Sequence, residues 1–105
     1  MIARLRMFPD WGSTWPLWSD DIGGADPSEL GLSPGLVADL QAWVGVWSAT
    51  FDVDAERPSE YWPDAAIGRR WVADGRSLVA RIRAELPGAV IDPVFVDSGP
   101  PSGLG

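Results

Sequence analysis

The sequence predicts an α+β domain in two layers, an antiparallel helix pair packed on a small two- or three-stranded sheet. Two apolar stripes carry the helices: Leu36, Leu40, Trp43, Trp47 and Phe51 recur at helical spacing, and so do Ile67, Trp71, Leu78, Ile82 and Leu86. The sheet rests on the two end segments, Ile2 to Phe8 by strict alternation and Ala89 to Val96 by β-branched content. The order is strand, loop or edge strand, helix, helix, strand. Because each element has one apolar face to bury, it implies a helix layer on a sheet layer.

In the first strand Ala3, Leu5 and Met7 fall on one face and Ile2, Arg4, Arg6 and Phe8 on the other, before Pro9-Asp10 breaks the pattern. Two strands alone make a poor sheet, and the 25-residue interval from Pro9 to Ser33 is long for a structureless loop in so small a domain. That interval is therefore expected to supply a short edge strand, or an ordered loop pinned by Trp11, Trp15 and Trp18. Ser33 reads as an N-cap with Pro34 at the first helical position, and the first helix fades before Pro58. The second helix is expected from Pro63-Asp64 to Leu86, stopped by Pro87-Gly88. Gly68 and Gly75 lie on its apolar side, seven residues apart. Each costs about 1 kcal/mol against alanine, so close approach of another element, such as a tryptophan of the first helix, is expected there. Pro93 cannot donate to a ladder, which puts the final strand at an edge or a bulge. Residues 1–96 thus form one domain, and 97–105 have the composition of a flexible tail.

Missing residue types narrow the chemistry. The 105 residues include no Cys, His, Lys or Asn. Without His or Cys there is no Ser-His or Cys-His nucleophile pair, and without Lys no Schiff base and no Walker phosphate loop. No Gly-x-Gly-x-x-Gly occurs, and a zinc site would have to be all-carboxylate. No catalytic residue, metal or cofactor is assigned. The longest uncharged run, Leu40 to Phe51, falls well short of the roughly 18 residues of a membrane span, and the N-terminal residues do not have the plan of a secretion signal. A cysteine-free chain fits the cytoplasm.

Charge is unevenly spread. Residues 1–66 carry 3 Arg against 11 acids, net −8, while 67–105 carry 5 Arg against 4 acids, net +1. A total of −7 argues against nucleic acid, which needs a basic footprint, and favours a basic protein as partner. The candidate binding residues are Trp15, Trp18, Asp20 and Asp21, aromatic faces beside carboxylates that suit either a protein interface or a sugar ring. The competing reading packs these tryptophans on the protein's own core. Asp52, Asp54 and Glu56 have the spacing that opens a calcium loop. Arg57 stands where glycine is required and Pro63 where a bidentate glutamate belongs, so a solvated turn is expected. Arg69, Arg76 and Arg83, with Arg70 and Arg81 nearby, draw a basic stripe that reads as a solvated outer face countered by Asp74 and Glu85.

Trp15-Pro-Leu-Trp18, Leu32-Ser-Pro-Gly-Leu36 with Leu40, Trp43 and Trp47, and Trp71-Val-Ala-Asp-Gly75 leading into Leu78-Val-Ala-Arg-Ile-Arg-Ala-Glu-Leu86 form an ordered set that resembles a group of small actinobacterial proteins. The resemblance covers roughly residues 3–87. It implies an actinobacterial source and a cytoplasmic single domain, and transfers no catalytic residue. The expected function is that of a non-enzymatic, acidic interaction protein, an immunity-type inhibitor of a basic protein. The alternatives are a carboxylate-based enzyme or carbohydrate-binding module built on the Trp11–Trp18 loop, and a homodimer formed through the exposed helix face.

Overall fold

The computed structural model describes residues 4–10, 14–19, 23–52, 54–57 and 60–98. Along the chain run β1 (Arg4–Met7), β2 (Leu17–Ser19), β3 (Gly23–Gly24), α1 (Pro34–Thr50), α2 (Ala65–Glu85) and β4 (Val90–Asp92), followed by a 3-10 helix, Val94–Ser98. Strand order is β3-β2-β1-β4. β1 pairs antiparallel with β2, Met7 opposite Leu17, and parallel with β4, Leu5 opposite Ile91. A parallel partner needs a long crossover, and the helix hairpin between β3 and β4 provides it. The α+β, two-layer expectation holds, with one strand more than expected: the interval after Pro9 supplies two strands, β2 and β3, paired through Trp18 and Gly24.

Alternation in β1 sorts the sheet into two faces. Leu5 and Met7 are buried with Leu17 and Ile91 beneath the helices, while Arg4 and Arg6 are exposed on the opposite face. The helices run antiparallel, because Ser33 at the start of α1 meets Glu85 at the end of α2, Asp39 meets Arg81, and Trp43 meets Trp71. Ser33 caps α1 as expected, and Asp64, where the second helix was expected to start, caps α2. Ser33 Oγ accepts from the Leu36 N–H at 3.4 Å, and Asp64 Oδ1 accepts from the Ala66 N–H at 2.9 Å.

Two expectations need correction. Ile67 does not join the buried stripe of α2, which runs through Gly68, Trp71, Gly75, Leu78, Val79 and Ile82; Ile67 is 42% exposed beside the α1–α2 groove. The final strand stops at Asp92. Pro93 has no N–H for a ladder, and its carbonyl accepts instead from the Val96 N–H at 3.2 Å, turning the chain into the 3-10 helix. That helix ends at Ser98; of the expected tail, residues 99–105 lie outside the described ones.

An aromatic core joins the layers. Trp43 and Trp71 stack at 4.2 Å with planes 6° apart, and each indole N–H donates to the other residue's carbonyl, at 2.8 and 3.0 Å. Their polar atoms are thereby satisfied in an apolar interior. Phe95 of the 3-10 helix meets both edge-on. Gly75 makes room for this: a Cβ there would lie 2.5 Å from Phe95 Cε2 and 2.9 Å from Trp43 Cζ2. The expected tryptophan does lie over Gly75, and the phenylalanine approaches closer still.

Candidate partner-binding surface

The outer face of the sheet carries Trp18. It stands opposite Arg6 on β1 and Gly24 on β3, with its ring stacked on Phe8 at 5.0 Å and 9°, and its indole N–H donates to the Phe8 carbonyl at 2.9 Å. Gly24 lies against the ring, where an added Cβ would make ordinary van der Waals contact with Trp18 Cζ3 at 3.5 Å. Trp15 and Trp18 are both half-buried, so the question of surface or core is answered with neither extreme. The neighbours of Trp18 on this face are Arg6 and, across the sheet, Arg4, which reaches Asp92 at 3.5 Å. Trp11, Asp20 and Asp21 lie outside the described residues. With Phe8 on one side of the Trp18 ring and Gly24 against it, the indole is engaged within the chain rather than offered as a bare platform for a sugar.

A second surface lies in the α1–α2 connector. Between Asp52 and Asp64 the sequence holds five carboxylates and Arg57, a net of −4 and so more than half of the total charge of −7. Asp52, Asp54, Glu56, Glu60 and Asp64 are all exposed. Their loop is tied at its base, where the Asp52 N–H donates to the Tyr61 carbonyl at 2.7 Å, and turned inside by Glu60 N–H to Arg57 O at 2.9 Å. Aromatic packing anchors it: Phe51 lies 5.0 Å from Tyr61 and 5.7 Å from the buried Trp62, which leans on Trp71 at 5.3 Å. The run expected as a solvated turn is solvated, but it is also held in place. No acidic group among the described residues is placed to bind a metal ion.

The exit of β1 and the connector lie in the same direction along α2, with Trp18 set back at the level of Arg6 and Asp92. Arg83 meets Ile91, and Phe95 packs on Gly75, so the chain from β4 onward runs back along α2 toward the connector. β1 is parallel to β4, and its exit through Phe8 therefore points the same way.

Residues 3–91 match the family model described as Serratia CdiI immunity protein-like. The chain belongs to that family. No curated protein matches it significantly. In this CdiI-like immunity family member the matched span takes in β1 to β3, both helices and β4 as far as Ile91. The acidic connector and Trp15 and Trp18 all fall within it.

The arginines of this family member are largely spent on its own structure. Arg81 pairs with Asp39 across the helices at 2.6 Å, Arg70 with Asp74 at 3.9 Å, and Arg83 Nη2 donates to the Ile91 carbonyl at 3.2 Å. The stripe expected as a solvated face is thus part cross-brace, while Arg69 and Arg76 are exposed. Glu85, expected as a local counter-charge, instead accepts from Ser33 N–H and Oγ–H at 2.7 and 2.8 Å. These two hydrogen bonds, the backbone one foremost, hold its carboxyl below the usual glutamate range. No described helix is long and apolar enough to cross a membrane.

Proposed function

We propose that this protein is an immunity protein of the cytoplasm that binds a partner toxin protein and blocks it, that the toxin is basic, and that the acidic connector is the main surface that meets it, with Trp15 and Trp18 on the sheet as further contacts. The family match over residues 3–91 carries the reading. Electrostatics supports the finer part. A net charge of −7, with −4 concentrated between Asp52 and Asp64, attracts a cationic protein and orients it toward that end. The connector suits the role because its carboxylates sit on an aromatic base, so little order has to be imposed on binding. Trp15 and Trp18, both half-buried, offer further apolar contact, and Asp20 and Asp21 add to the negative charge of the same chain segment.

Growth of cells expressing a toxin domain encoded beside this chain, with and without the chain, tests the reading. Protection is expected, along with an association rate that falls by on the order of tenfold from low to high salt. The double variant Glu56→Lys/Glu60→Lys should slow association while leaving the melting temperature near that of the parent, because both side chains are exposed. Absence of protection would remove the function, and protection with salt-independent association would remove the basic partner.

A further inference from the structure

A cavity of about 410 Å³ opens at the other end of the molecule, between the start of β1 and the turn that joins α2 to β4. Leu5, Leu30, Leu86 and Ala89 give it apolar walls, and Glu29 and Glu85 add two carboxylates. Leu5 is fully buried and forms part of the core, so the wall is fixed. Glu85 is fixed as well, because both of its oxygens accept from Ser33. These bonds hold it ionised. Glu29 is exposed on the turn that follows Asp26, a turn braced by Asp26 Oδ1 accepting from the Ser28 N–H and Oγ–H at 2.9 and 2.7 Å.

We propose that this cavity receives a lysine or arginine side chain of the protein partner. Such a side chain has two parts with opposite needs, an apolar stem and a cationic head. The half-buried Leu30, Leu86 and Ala89 cover the stem, and two carboxylates serve the head, Glu85 held in position by Ser33 and Glu29 exposed on its turn. An anionic or purely apolar side chain would leave Glu29 and Glu85 repelled or stripped of water, so charge selects the occupant. The volume exceeds one side chain and accommodates flanking atoms of the partner as well. The proposal rests on the reading of the chain as a binder of a basic protein, and adds a second anchoring point remote from the connector.

The test has two arms. In the first, amide resonances of the protein are followed during titration with Nα-acetyl-lysine amide and Nα-acetyl-arginine amide, with Nα-acetyl-norleucine amide as the uncharged stem. Shifts confined to Glu29, Leu30, Leu86, Gly88 and Ala89, seen with the cationic compounds and weakened roughly three- to tenfold in Glu29→Lys, are expected. No localised shift, or an equal response to norleucine amide, would overturn the proposal. Glu29 makes no hydrogen bond that supports the fold through its side chain, so Glu29→Lys keeps the test apart from folding. In the second arm Glu29→Lys is assayed for protection against the toxin. Reduced protection is expected, and full protection at limiting expression would show that the partner does not use the cavity. If the parent chain itself fails to protect while the cationic compounds still bind, the immunity reading falls and the cavity's selectivity for cations stands.

Discussion

Gly75 shows how one missing methyl group sets the core. Helix propensity alone says that alanine there would gain about 1 kcal/mol. Space says otherwise, because the added carbon would meet Phe95 at 2.5 Å and Trp43 at 2.9 Å, side chains wedged among other aromatics with no room to retreat. Overpacking of that kind costs about 1–3 kcal/mol and wins. Gly75→Ala is therefore expected to lower the urea midpoint, whereas Gly45→Ala, with nothing within 4 Å of the added carbon, should raise it by up to about 1 kcal/mol in stability. Both variants in one denaturation series check the contrast. Glu85 makes a second prediction at this scale. Its carboxyl titrates lower in the folded chain than in the unfolded one, so its contribution is complete above the unfolded value and is lost as the pH falls through the folded one. Thermal stability should decline on acidification below the ordinary glutamate range, and Glu85→Gln should flatten part of that decline.

At the scale of elements, the helices were legible in the sequence and the small strands only in part. Ser33-Pro34 and Asp64 mark helix starts by chemistry confined to a few residues, and both caps form. Gly23–Gly24 has no side chains to announce a strand, and it is one because its backbone pairs with β2. Val94, Phe95 and Val96 announce a strand by composition, yet Pro93 diverts them and Phe95 is wanted over Gly75. The connector's acids were plain to read, but their anchoring was not, because it depends on Trp62 meeting Trp71 of the next helix. Trp18 was picked out as a candidate, and its commitment to Phe8 arises only when β1 and β2 pair. β4 is an edge strand poorly fitted for further pairing, with Arg83 on the Ile91 carbonyl and Pro93 lacking an N–H. Its own pairing nonetheless matters. A chain ended after Leu86 loses β4 and Phe95 together, and is expected to lose near-ultraviolet circular dichroism and to bind a hydrophobic dye, while retaining part of its helical signal.

Over the whole molecule, charge and shape divide the work. Negative excess gathers at the helix-hairpin end, and of the arginines of α2, Arg81 braces the two helices and Arg83 ties α2 to β4. The acidity was legible from composition, whereas its concentration on one supported loop required the fold. Parallel pairing of β1 with β4 brings residues 4–6 against residues 90–92. This has a consequence during synthesis. β1 leaves the ribosome early and waits with one side of its backbone unsatisfied, and that side finds its partner only after both helices and residue 92 have been made. Contacts of such long sequence separation form late and slowly. If the protein acts as proposed, finished chains already in stock, and not chains still emerging, would be the ones that meet the toxin.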